Sequence, residues 1–291
     1  MKQIIFLAIL LTVLCGCVAE RSGLDSIPSS ESDIIVTECE TKTDIPSAAA
    51  PSDEIPSETP EITESPTVAV PILNIPSGTY SGVFSDSELN ERLDYFYFVP
   101  ENAVEGLPLI VFLHGDGNVG LPQSMETSGF IRFAKDIYGE SFPFIVLQPC
   151  TSRYSWIDGN LPQALIGLTD KIANECAVDR NRIIITGHSR GAIGTWALIT
   201  FYGNYFSAAV PVSCGNQTAM DYDVCSQVPV WAFAGNIGQD ELGYHGIMRY
   251  IVDTIEAHGG TATMTTLAGY SHGLTPEGAY TKETIEWMLA Q

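Results

Sequence analysis

Six short runs of apolar residues punctuate the chain after residue 90, and they limit its fold more than any other feature. Leu93–Val99 (LDYFYFV) alternates bulky and aromatic side chains, whereas Leu107–Leu113 (LPLIVFL) reads as a strand covered on both faces. The same kind of run recurs at Phe144–Leu147, Arg182–Thr186, Ala208–Val212 and Val228–Phe233. Helix-like stretches lie between and after them: Pro162–Cys176, Ala192–Tyr202, Leu242–His258 and Lys282–Leu289. In Leu242–His258, Met248, Ile251, Val252 and Ile255 recur at three- and four-residue spacing, which places one helix face in a core. Alternating strands and helices of this kind predict an α/β fold, a mostly parallel central sheet with helices on both faces. Ligands of such sheets bind beyond the carboxyl ends of the strands, where His114–Gly120 and Gly187–Gly191 emerge.

The front of the chain has a different character. Met1-Lys2-Gln3 gives a short positive start, and Ile4–Leu14 is apolar, long enough for a secretory signal and too short to span a bilayer. Leu14-Cys15-Gly16-Cys17 resembles the end of a bacterial lipoprotein signal, and Cys17 follows the small residue that such a cut requires. Residues 1–17 are therefore expected to be a signal peptide ending at a lipidated Cys17. Residues 18–76 hold eight of the 17 prolines, and residues 18–70 carry twelve acids against two bases. A stretch so polar and so rich in proline cannot bury enough surface to offset its chain entropy, which predicts a disordered acidic linker over 18–76. Residues 77–291 then form the folded domain, tethered to the outer surface of a bacterial membrane by lipid alone, or secreted.

Charge and cysteines narrow the partners. With 13 Lys plus Arg against 35 Asp plus Glu, the net charge of −22 repels phosphate backbones and argues against nucleic acid. Among the four cysteines of the folded part, Cys214 and Cys225 are the first pair to test for a disulfide, with buried thiols the other reading. No C-x-x-C or H-E-x-x-H spacing occurs, so neither a metal nor any other cofactor is expected.

The chemistry is concentrated in Gly187-His188-Ser189-Arg190-Gly191, a G-x-S-x-G between the strand RIIIT and the helix AIGTWALITFY. Strand, sharp turn and helix together make a nucleophile elbow, with glycines where side chains would collide with the adjoining backbone. A serine nucleophile needs a base, and the base needs an orienting acid. His272, in the loop Gly-Tyr-Ser-His-Gly, is the last histidine and completes the order Ser…Asp/Glu…His. The acid is sought after the strand VPVWAFAG, at Asp240 or alternatively Glu241. The glycine-rich turn after Leu113 brings backbone N–H groups beside the elbow. The expected oxyanion donors are the N–H of Arg190 and one from Gly115 or Asp116. Trp156, His188 and the loop 116–130 are candidate substrate contacts, with a core position the other reading of Trp156.

These stretches together resemble the α/β-hydrolases, in particular secreted esterases akin to polyhydroxybutyrate depolymerases and to feruloyl and acetylxylan esterases. VFLHGDG (111–117), LQPC followed by Trp156, VDRNRIIITGHSRGAIGTWAL (178–198), AAVPVSCG (208–215), VWAFAG (230–235) and SHG (271–273) carry the resemblance. It implies the α/β-hydrolase fold and ester hydrolysis through an acyl-enzyme on Ser189, with His272 as base. It implies an ester substrate, small or linked to polysaccharide at the cell surface. Two departures stand out: Arg190-Gly191-Ala192 replaces the usual Met-Gly-Gly, and the usual acid position falls on Gly238, two residues before Asp240. Two other readings remain at this stage, a prolyl-oligopeptidase-like serine peptidase and a non-catalytic binding module on the same fold.

Overall fold

A computed structural model describes residues 71–116, 128–215 and 219–291. The signal, Cys17 and residues 18–70 of the expected linker lie outside them, as do residues 117–127 of the loop 116–130.

Eight strands form one sheet: β1 (Gly78–Asp86), β2 (Glu91–Val99), β3 (Leu109–Leu113), β4 (Ile145–Cys150), β5 (Ile183–His188), β6 (Ala208–Val212), β7 (Val230–Ile237) and β8 (Ala262–Ser271). Their order across the sheet is β1-β2-β4-β3-β5-β6-β7-β8. β2 runs antiparallel to both neighbours, and every pairing from β4 through β8 is parallel. Six of these strands begin within two residues of the apolar runs read above, because an all-apolar run is stable only where both sheet faces are covered. β8 lies outside those six runs, its ATMTTLAGYS being only half apolar. β1 does too, since GTYSGVFSD is a half-exposed edge strand whose apolar content is low.

Helices α1 (Phe130–Tyr138), α2 (Leu161–Glu175), α3 (Arg190–Phe201), α4 (Tyr222–Cys225), α5 (His245–Ala257), α6 (Thr275–Ala279) and α7 (Lys282–Leu289) cover the sheet. The two-residue period of β3 divides its side chains. Leu109, Val111 and Leu113 join the core built with α2, α3 and α5, while Ile110 and Phe112 join the one built with α1, α6 and α7. Each such side chain, fully buried, contributes about 1.5–3 kcal/mol. α3 is the central helix and is buried from Arg190 through Thr200, which explains why its sequence has no polar face.

One expectation needs correction, and one pair of alternatives is decided. Residues 71–76, assigned to the linker, are part of the fold: Leu73 is buried, its N–H donates to Ala103 O at 2.9 Å, and Glu105 N–H donates to Pro71 O. Proline lacks a donor but keeps its carbonyl, so a proline-rich stretch can still be fastened as an acceptor. Cys214 and Cys225 are not joined; together with Cys150 and Cys176 they are buried thiols. Burial pushes the thiols of Cys176 and Cys214 up to about 12 and that of Cys225 to about 11.

Candidate active site

The carboxyl ends of β3, β5, β6, β7 and β8 meet along one edge of the sheet, and every sequence-predicted catalytic residue lies there. Ser189 follows β5 with φ 57° and ψ −119°, a backbone conformation costing on the order of 1–3 kcal/mol for a residue with a side chain. The turn is held by the sheet, because Ser189 N–H donates to Val212 O at 2.9 Å. Glycine is required on either side. A Cβ on Gly191 would lie 1.9 Å from Leu113 O, and one on Gly187 would lie 2.5 Å from the backbone of Gly191.

His272 Nε2 is 2.8 Å from Ser189 Oγ, and His272 Nδ1 is 2.8 Å from Asp240 Oδ1. With the carboxylate accepting from Nδ1–H, Nε2 is left as the acceptor for the serine hydroxyl. Asp240 is fully buried, whereas Glu241 is exposed, so the structure brings Asp240 and not Glu241 to the imidazole. Beyond Gly238 and Gln239, Asp240 opens a π-helical turn, Asp240–Tyr244, that runs directly into α5. Burial alone would raise the Asp240 carboxyl. Hydrogen bonds from His272, Ser213 and the Gly235 N–H outweigh it and hold the group below its ordinary value. The Ser213 hydroxyl donates to Asp240 Oδ2 at 2.5 Å, and Gly235 N–H donates to the same oxygen at 2.7 Å. The Thr275 hydroxyl donates to His272 O at 2.8 Å.

Ser213 and Thr275 were missed in the sequence. Ser213 follows β6 with φ 55°, as Ser189 follows β5 with φ 57°, so two neighbouring strands are each followed by a serine of positive φ. A lone Ser after the apolar run AAVPV carries that much signal, but its partner is 27 residues away and no local pattern links them.

Trp156 does not take the substrate-contact role assigned to it, whereas His188 stands in the wall of the larger cleft at Ser189. His188 Nε2–H donates to His272 O at 2.8 Å, and its ring centroid is 5.0 Å from that of His272. Its ring lines the cleft, but its polar edge is committed to positioning His272. Trp156 is 1% exposed and donates from Nε1 to His114 O at 3.0 Å, so it is core. It packs there because Gly194 leaves no side chain in its way. His114 itself accepts from Thr151 N–H at Nε2 and donates from Nδ1 to Gly115 O, fixing one neutral tautomer. Burial lowers the pKa values of His114 and His188 to about 4.

Of the expected oxyanion donors, Arg190 opens α3, where the first N–H groups have no partner within the helix. Gly115 lies against the elbow, close enough that a Cβ there would be 3.2 Å from Ser189 Cβ. The Asp116 carboxylate lies 3.1 Å from Arg190 Nε. Arg190 is buried and also donates from Nη1 to Arg153 O at 2.6 Å, and the Arg153 guanidinium is paired in turn with the buried Glu91.

Two cavities open from Ser189. The smaller, about 90 Å³, is bounded by Ser155, Arg190, Ile193 and Cys214. The larger, about 470 Å³, is bounded by Gly115, His188, Gln239 and His272. Asp116, Tyr154 and Tyr244 stand at both.

Sheet order, elbow and the hydrogen-bonded Ser189–His272–Asp240 set define a protein of the α/β-hydrolase fold. No family model matches the sequence, and no curated protein matches it either. Among solved structures a thermostable esterase is similar, with 27% identity and a TM-score of 0.64 over 73% of this chain and 63% of that one. The chain thus spans a little under two thirds of that esterase. A ferulic acid esterase shares the fold at 13% identity and a TM-score of 0.54, over 74% of this chain and 99% of its own. Dipeptidyl peptidase 4 of Porphyromonas gingivalis does so at 13% identity and 0.58, over 74% of this chain and 36% of its own.

Proposed function

We propose that this chain is a serine carboxylic-ester hydrolase working through an acyl-enzyme, and that it removes acyl groups from polysaccharide at a bacterial cell surface. Ser189 Oγ attacks the ester carbonyl while His272 Nε2 takes its proton, and Asp240 stabilises the imidazolium that forms. Backbone N–H groups of Arg190 and of Gly115 or Asp116 receive the oxyanion. His272 then returns the proton to the departing alcohol, and water, activated by the same imidazole, releases the acid.

The observation that carries this reading is the pair of 2.8 Å contacts linking Ser189, His272 and Asp240. A displaced acid would have favoured the binding module, and the contact of Asp240 with His272 speaks against that reading. Similarity to a thermostable esterase supports the ester bond. Tyr154 and Tyr244 at the mouth, beside Asp116 and Gln239, offer the ring faces and acceptors that suit a sugar. The lipoprotein-like front end supports the surface location, with lipid on Cys17.

Hydrolysis of short nitrophenyl esters against peptide anilides tests the proposal, with Ser189→Ala as control. Esters should be cleaved and the variant silent. Cleavage of anilides alone would favour the peptidase reading, and activity surviving Ser189→Ala would overturn the nucleophile.

A further inference from the structure

The two cavities at Ser189 have different chemical neighbours, and this assigns their contents. The group that protonates the leaving oxygen must face it, and His272 lines only the larger cavity. The alcohol therefore departs into that open cleft of about 470 Å³, and the acyl group is left to the smaller one. This step rests on the esterase reading above.

The smaller cavity is narrow, and its side formed by Ile193 and Cys214 is buried and packed. Ile193, one turn beyond the nucleophile on α3, is 9% exposed, and Cys214, just past β6, is 3% exposed. They pack together with Ala192 and against Tyr244, so neither can retreat without disturbing the elbow helix. Arg190 closes a further side and is itself held by Arg153 O and Asp116. The resulting volume is about 90 Å³. A dry cavity of about 150 Å³ suffices for benzene, so this one falls well short of a phenyl ring. An acetyl or propionyl group fits; an aromatic acyl group such as a phenylpropenoyl does not.

We propose that Ile193 and Cys214 form the floor of an acyl subsite that selects acyl groups of two or three carbons. Forcing extra methylenes into a packed site costs about 1–3 kcal/mol, which corresponds to roughly a 5- to 150-fold loss of rate.

The test is the chain-length profile of the full protein on nitrophenyl acetate, propionate, butyrate and hexanoate, with nitrophenyl ferulate as the aromatic ester. kcat/KM should be greatest at acetate or propionate and at least tenfold lower at hexanoate and ferulate. Ile193→Ala should raise the hexanoate-to-acetate ratio at least tenfold, and Cys214→Ala, a milder change, should raise it in the same direction. A wild-type maximum at hexanoate, or ferulate cleaved as well as acetate, would overturn the subsite while leaving the esterase reading intact. So would an unchanged ratio in both variants. Failure to cleave any ester would overturn the esterase reading, and the subsite with it.

Discussion

His114 and His188 are held neutral by burial, and this makes the fold sensitive to mild acid. In the folded chain their pKa values are lowered from 6.5 to about 4. Between those values the unfolded chain binds a proton on each imidazole and the folded chain does not, so stability rises with pH across that window. The contribution is complete above about pH 6.5 and lost as the pH falls toward 4. Moving from pH 7 to pH 5 should remove roughly 2 kcal/mol per imidazole, about 4 kcal/mol in all, against a total of about 5–15 kcal/mol. Asp240, held below its ordinary value, stays ionised throughout and adds nothing over this interval. Urea unfolding followed by tryptophan fluorescence at the two pH values measures the loss. His188→Gln retains a donor for His272 O but has nothing to titrate, so its loss should halve. An unfolding free energy unchanged between pH 7 and 5, or a loss as large in the variant as in the native chain, would refute the argument.

Asp240→Asn should leave KM nearly unchanged and lower kcat roughly 10⁴-fold, because the amide favours the wrong imidazole tautomer; a loss under tenfold in ester turnover would contradict it. Ser213→Ala deletes a hydroxyl donor from the Asp240 carboxylate. It should cost about 1–3 kcal/mol of stability and move the carboxyl upward, so that its contribution fades at a higher pH as acid is added. Chemical unfolding across pH 3–6 checks both parts. Gly191→Ala sets a methyl 1.9 Å from Leu113 O, so the variant should lose several kcal/mol or fail to fold, and a native melting curve would disprove that close approach.

Why some of this was legible in the sequence and some was not follows from how far each signal extends along the chain. The buried strands were readable because coverage on both faces demands uninterrupted apolar residues. Ser189 was readable because the elbow demands two glycines within five residues, and His272 because chain order restricts where the base can lie, while the strand end narrowed the acid to Asp240 or Glu241. The π-helical turn that carries Asp240 to the imidazole was not readable, since it differs from an ordinary helix start only in hydrogen bonding. α1 does carry a pattern, with Phe130, Ile131, Phe133 and Ala134 on one face, but nine residues give it little length over which to repeat. Trp156 was ambiguous for a physical reason. An indole beside an active-site loop can serve a ligand or fill a gap, and Gly194, 38 positions on, decides between them.

The four buried thiols also bear on how the domain can be handled. Nothing in its described part waits on an oxidant, so a reducing cytosol should serve for its production as well as an export pathway. Because all four are shielded from solvent, and Cys176, Cys214 and Cys225 are also hard to ionise, an alkylating reagent meets them only when the surrounding structure opens. Each modified cysteine then times the breathing of its own neighbourhood: a strand end, a helix end, the acyl cavity and the short α4 turn. The molecule carries its own set of clocks for local unfolding.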